Sequence, residues 1–325
     1  MIHTWFDEIN IIIFYIFVPS RLDYGNSGNS VLADDEYQTI SHMMGTYRNF
    51  ILVVSAALLL GQMELFSQTR ADSLSWAEAK WEWTDLGKGA RAASVQLTLF
   101  ESTQCVSIVE FPSRRFRSAI VHAPGPECST TDTLAMRAKG RFAINGSYFN
   151  MKRLVPHTFF ALNHKIVGEP RPNEHSRSNG ILAIKGKKME IFPHDTLRND
   201  YYRRHYDAAI ATGPILLLDG VPGSFREGWS FAEMRHPRSM VGWREDGTAC
   251  IVVVDGRFKG QGEGMSLPEM VALCRLLGLK DAINLDGGGS ATIWTDKTGI
   301  LNHPYDNHKF DHEGARKVPN ILVFR

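Results

Sequence analysis

The sequence carries almost no net charge, few cysteines and no apolar run long enough to cross a bilayer. Lys and Arg number 36 against 35 Asp and Glu, so the 325 residues sum to a formal charge of +1. Such a balance offers no basic face for a nucleic-acid backbone, and no zinc-finger or phosphate-loop motif is present. Nucleic acid is therefore not an expected partner. The absence of any C-x-x-C pair removes the common zinc knots, and no cofactor is expected. Low-complexity linkers and sequence repeats are also missing. What is there is an ordinary globular composition, 43% hydrophobic, enough for one or two domains.

The first seventy residues differ from the rest. Ile11 to Val18 is apolar but far short of the roughly 20 residues a membrane span needs. Met44-Gly-Thr-Tyr-Arg48 then leads into the apolar run Phe50 to Leu60, followed by small and polar residues. A basic start, a short hydrophobic centre and a polar exit make a secretory signal over residues 43–67, with cleavage near Ser67 or Gln68. Residues 1–42 read as a dispensable leader, and translation is expected to start at Met43 or Met44. The alternative is an anchor helix that stays attached. No cysteine follows the run, so a lipid anchor is not expected, and removal of the signal leaves no stable membrane insertion. Export to a periplasmic or extracellular location would put Cys105, Cys128, Cys250 and Cys274 where disulfides persist. Four cysteines allow three pairings, and Cys250 and Cys274 read equally well as buried free thiols.

From Trp76 to Arg325 the chain reads as one continuous domain. Short strand candidates recur, among them "AASVQLTLF", "CVSIVEF", "RFAINGSYF", "GILAIKG", "AAIATGPILLL", "SMVGWRE", "TACIVVVDG", "DAINLDG" and "NILVFR". Asp246-Gly247 and Lys185-Gly186-Lys187-Lys188 predict hairpins. Ser266-Leu-Pro-Glu269 has the form of a capping box, and Leu267, Met270, Val271, Cys274 and Leu277 mark one apolar helix face ending at Gly278. A second, weaker helix starts at Thr130 or Thr131. The expected class is α+β: mixed or antiparallel sheets with a few packed helices in a single catalytic domain.

Apolar strands run into Asn or Asp followed by Gly at Asn145, Asp219, Asp255 and Asp286. For Asp219-Gly220 a plain turn suffices. The other three precede further strand-like and polar residues, which suggests more than a reversal. In "AINLDG", alternation places Ala282, Asn284 and Asp286 on one face and Ile283 and Leu285 on the other. Gly287, Gly288 and Gly289 follow, a bare backbone that lets a ligand approach and whose N–H groups can form an anion nest. With Ser290 and Thr292 beyond them, one acid and several donors fall within a few residues.

Taken in order, "INGSYF", "RHPRSMVGW", "VVVDGR", "GMSLPEM" and "INLDGGGSAT" resemble the phosphodiester glycosidase family, over roughly Arg141 to Arg325. The resemblance implies hydrolysis of an alpha-linked sugar 1-phosphodiester, such as one of N-acetylglucosamine, between the anomeric carbon and the phosphate oxygen. Carried over by position, it points to Asn145 with Gly146, Arg238, Asp255 with Gly256, Glu269, and Asp286 through Ser290 with Thr292. Ser147 stands where a second glycine is usual in the family, and Ser239 where threonine commonly follows the arginine. The chemistry suits the residue types. A leaving phosphate acquires a second negative charge, which an arginine fork grips by two hydrogen bonds. Phosphate leaves readily, so the essential group is a carboxylate for the cationic sugar carbon. Asp286 is the leading candidate, Asp255 or Glu269 the second, and Arg238 the phosphate ligand. Asn145 is expected to position a sugar hydroxyl or the nucleophile.

Another polar cluster, His303, Asp306, His308, Asp311 and His312, has metal-binding residue types but matches no known ligand spacing. It reads as a polar loop before the last strand. Two other functions stand beside the glycosidase: a metal-dependent phosphodiesterase using Asp255, Asp286 and these histidines, and an exported carbohydrate-binding or envelope protein without turnover.

Overall fold

A computed structural model describes residues 70–168 and 177–325. The expected leader and signal segments lie outside those residues. Residues 66–325 cluster as one compact unit. Among the described residues every strand pairing is antiparallel and a few short α-helices pack on the sheets, the α+β arrangement the strand pattern predicts.

The large sheet has eight strands, running in the order Thr84–Gly87, Ala90–Leu99, Ser102–Pro112, Thr248–Val254, Arg238–Trp243, Asp281–Asn284, Ile215–Leu218 and Val221–Pro222. A middle sheet is built around Gly180–Lys185 and Ala208–Thr212, and a C-terminal sheet around Ile293–Thr295, Phe142–Asn145 and Asn320–Phe324. Alternation of side chains assembles these into layers. On the large sheet Val241, Ile251, Val253 and Ile283 point into one core shared with Phe142, Ile144 and Leu322 of the C-terminal sheet and Leu182 and Ile210 of the middle sheet. Met240, Cys250, Val252, Val254 and Ala282 point the opposite way, onto the helix Leu267–Leu276. That sheet is covered on both faces, which is why "TACIVVV" is apolar without alternation.

Smaller cores finish the outer layers. Helix Thr131–Arg137 buries Leu134 and Ala135 against Ala143, Ile321 and Val323. Tyr202 and Tyr206, at helix Asn199–His205 and just beyond it, cover Ile181, Ala183 and Ala209. "AAIATGPILLL" proves to be two strands: Gly213-Pro214, a cis peptide, separates Ala208–Thr212 in the middle sheet from Ile215–Leu218 in the large one. The Asp219-Gly220 hairpin is present, with both residues at positive φ, as are the hairpins at Asp246-Gly247 and Gly186. All four cysteines are buried free thiols, so no disulfide staples the domain.

Candidate active site

Three of the predicted polar residues lie at strand ends in one region of the fold. Asn145 ends the strand Phe142–Asn145, Asp255 follows Thr248–Val254, and Asp286 follows Asp281–Asn284. The last two strands flank Arg238–Trp243, with Arg238 opposite Val254 and Met240 opposite Asn284. Antiparallel pairing therefore brings the exits of the two acid-bearing strands to the start of the strand between them.

Asn145 is wholly buried and spends its amide on the junction. Its Nδ2 donates to the backbone oxygen of Asp286 at 2.6 Å, while Oδ1 accepts from Ser239 Oγ at 2.7 Å and from the N–H of Thr292 at 3.2 Å. A threonine hydroxyl at position 239 would serve the same bond, so that departure from the family pattern costs nothing here. Gly146 meets the last strand so closely that a Cβ would lie 1.8 Å from Asn320 Oδ1. Ser147 donates its N–H to the same oxygen at 2.8 Å. Asn284, on the polar face of its strand, donates to Tyr148 Oη and Gly213 O at 3.0 and 2.8 Å. That part of the polar stripe is framework.

Asp286 is different. It is half-buried, and among the described residues its carboxylate accepts the N–H of Gly287 at 2.9 Å, with the Ser290 hydroxyl beside it as a second, looser donor. Burial pushes its pKa up to about 6, opposed by the neighbouring Ser290 hydroxyl, the Arg316 guanidinium, the Gly287 amide and Arg177. Ser290 Oγ and Thr292 Oγ1 are buried without a hydrogen bond of full geometry. The glycine loop folds tightly: Gly288 has φ +61° and donates its N–H to Pro237 O at 2.9 Å, and a Cβ on Gly289 would sit 1.9 Å from Asp306 Oδ1. Two of its three amides are thus committed to the protein, and the loop serves close packing more than an anion nest. The Asp306–Arg316 pair it admits is bidentate, at 2.7 and 2.6 Å.

Arg238 lies deep in the structure. Its guanidinium donates to the backbone oxygens of Met265, Phe231 and Met234 at 2.9, 2.7 and 3.0 Å and rests over the Phe231 ring. Burial pushes its pKa down to about 10. Arg177 covers the same ring, 4.9 Å from its centroid. Glu269 closes the capping box through the N–H of Ser266 at 2.7 Å and forms an ion pair with Arg235. Those contacts, with four donor approaches, fill the acceptor sites of a carboxylate.

Asp255 is also fully engaged. Oδ1 accepts from Asn302 Nδ2 and from the N–H of His303 at 3.0 and 2.9 Å, and Oδ2 faces His303 Nδ1 at 2.8 Å. Asn302 reaches on to Ala291 O at 3.0 Å, linking the two acid loops. Of the polar cluster around His303, Asp306 pairs with Arg316 and Asp311 accepts from Asn307. Among the described residues, Cys105, Asp255 and His303 bring metal-ligand types within reach of one another. Cys105 escaped the sequence reading because it lies about 150 residues from Asp255 and outside every motif; only strand register joins them. Arg177 and Arg316 had no motif either, although Arg316 stands in the polar loop already singled out.

The sequence profile of the phosphodiester glycosidase family matches residues 138–325, more than half of the chain. The chain belongs to that family. A stretch of 128 residues, 36% of the chain, is 32% identical to the SPbeta prophage-derived uncharacterized protein YomE of Bacillus subtilis (strain 168) and spans only 20% of that protein's length. Among solved structures, the catalytic domain of zebrafish N-acetylglucosamine-1-phosphodiester alpha-N-acetylglucosaminidase, auto-inhibited by its pro-peptide, superposes with a TM-score of 0.57 at 18% identity, covering 76% of this chain and 88% of that one. A hypothetical protein from Synechocystis gives 0.52 at 13% identity, covering 75% and 63%. At these identities the likeness is one of fold. Family and fold together support a glycosidase-type hydrolase. Among the described residues no helix is long and apolar enough to cross a membrane.

Proposed function

We propose that the protein hydrolyses an alpha-linked sugar 1-phosphodiester at the anomeric carbon, with Asp286 as the reacting carboxylate. The observation that carries this reading is the contrast between Asp286 and the other candidate acids: it is half-buried, receives the Gly287 N–H and a looser approach of the Ser290 hydroxyl, and has a raised pKa, whereas Asp255 and Glu269 have donors on both oxygens. A carboxylate with a pKa of about 6 is ionised at neutral pH yet more basic than a solvated one, which suits attack on, or stabilisation of, a sugar cation. Arg316 and Arg177 are the cations that bear electrostatically on Asp286, and they replace Arg238 as the groups to meet the departing phosphate. Arg238 and Glu269 hold the frame, and Asn145 fixes the backbone of Asp286. N-acetylglucosamine is the first sugar to try, by the fold's likeness to the zebrafish domain. An exported location stands with this proposal on residues 43–67 alone.

The test is hydrolysis of UDP-N-acetylglucosamine and a simple alpha-linked N-acetylglucosamine 1-phosphodiester in oxygen-18 water. Label in the sugar's anomeric hydroxyl supports the proposal, and Asp286→Asn should abolish the release. Label in phosphate means cleavage of the phosphorus–oxygen bond and favours a phosphodiesterase. Binding of either compound without turnover favours the carbohydrate-binding reading.

A further inference from the structure

We propose that Cys105, Asp255 and His303 form a binding site for one divalent metal ion of the zinc type. Their sulfur, carboxylate oxygen and ring nitrogen lie within 4.8 Å of one another. His303 Nδ1 stands 2.8 Å from Asp255 Oδ2 and 3.8 Å from Cys105 Sγ. Ligand atoms around a tetrahedral zinc, bonded at about 2.0–2.3 Å, stand roughly 3–4 Å apart, so the three groups lie close to the spacing of one face of a coordination tetrahedron and need only small side-chain shifts to reach it.

The fold fixes that spacing from the backbone upward. Strands Ser102–Pro112 and Thr248–Val254 pair with Val106 opposite Val254, so the next step along each brings Cys105 against Asp255. The N–H of Asp255 donates to Cys105 O at 2.9 Å and locks the pair. Gly262 packs over them, with room so limited that its Cβ would lie 3.1 Å from that of Asp255. His303 comes from the C-terminal loop, and its own N–H is tied to the Asp255 carboxylate. Its ring stacks on Phe310 at 3.7 Å and on His312 at 4.6 Å, which holds Nδ1 toward the other two ligands. Ligands on rigid elements, oriented by packing, are what a metal site requires.

Charge and donor type argue the same way. A thiolate, a carboxylate and a neutral imidazole around a divalent cation sum to zero, which suits a place where Cys105 and Asp255 are 4% and 1% exposed. Binding releases the Cys105 thiol proton to solvent and leaves the imidazole proton on Nε2, with Nδ1 donating its lone pair to the metal. Sulfur, nitrogen and oxygen together select zinc or cobalt over calcium or magnesium. Three protein ligands leave a fourth position for water, and the His303 side chain, 17% exposed, marks the solvent side. Through Asn302, which bonds both Asp255 and Ala291 O, the ion would brace the loop that follows Asp286.

The experiment is titration of the metal-free full chain with cobalt(II), followed by absorption. One cobalt per chain, a near-ultraviolet band from thiolate to metal, and its loss on adding equimolar zinc are expected. Cys105→Ser should lose the band, Cys250→Ser should keep it, and His303→Gln should weaken cobalt binding by at least about tenfold. Absence of a thiolate band in the wild-type protein, or an unchanged band in Cys105→Ser, overturns the proposal. The readout involves no turnover, so it stands or falls apart from the glycosidase reading.

Discussion

Asp255 and Asp286 begin from the same local pattern. Each closes an apolar strand, each precedes glycine, and their strands lie on either side of Arg238–Trp243. Their surroundings are opposite. Asp255 is 1% exposed and receives donors on both oxygens at full geometry, whereas Asp286 is half-buried with the Gly287 N–H and only a looser Ser290 hydroxyl. A buried carboxylate whose lone pairs are filled is stable and inert toward a sugar, while one that is desolvated and underused is costly to the fold and chemically ready. The pattern sets where an acid goes, and the number of donors that reach it sets what it can do.

The sharpest way to break that contrast is to remove each charge in turn. Asp286→Asn should cut sugar release by about 10^3-fold or more, at the scale of losing a reacting carboxylate, and steady-state kinetics on the folded variant will read it. The pH dependence should carry the same signature. With a pKa of about 6, kcat/KM should climb between pH 5 and 7, and Ser290→Ala should move the midpoint upward because the hydroxyl helps hold the proton off. A flat profile across that range would remove Asp286 from the mechanism.

Stability gives the contrast a second axis. A folded-state pKa above the unfolded value of about 3.9 means the native protein binds the extra proton, so stability falls as pH rises through the window between about 4 and 6. Asp286→Asn lacks that loss and should be more stable than wild type above pH 6, as urea unfolding at pH 8 would show. Asp255→Asn should go the other way. An amide presents one acceptor oxygen where two are used, leaving donors of Asn302 or His303 unpaired, at a cost of about 2–3 kcal/mol. Equal destabilisation by both variants would mean the two sites are alike after all.

Much of this was legible in the chain. Strand positions, both hairpins, the capping box and the three Asx-Gly exits follow from side-chain period and turn chemistry, which act over a few residues. The glycines at 287, 288 and 289 were legible as a bare loop and Gly146 through the family pattern, but their reason was not: Gly146 and Gly289 make room for Asn320 and Asp306, partners at long range. Arg238 was read as a phosphate grip because arginine suits phosphate. Three backbone oxygens claim it instead, and they belong to loops whose approach no local pattern encodes. Cys105 became visible only through the register of two strands.

Glu269 supplies the smallest expected effect and the cleanest control. The sequence offers it two roles, helix cap and second catalytic acid, and Glu269→Gln separates them. Glutamine retains an oxygen for the N–H of Ser266, so the capping box survives, but the ion pair with Arg235 is lost. Arg235 is a third exposed and the glutamate less so, hence the cost should be about 1 kcal/mol or below. Turnover should stay within about twofold of wild type, since an ion pair committed to the helix start has no part in the barrier. A hundredfold fall without loss of stability would return Glu269 to the chemistry, and the difference between saturated and underused carboxylates would cease to be the rule that identifies the reacting acid.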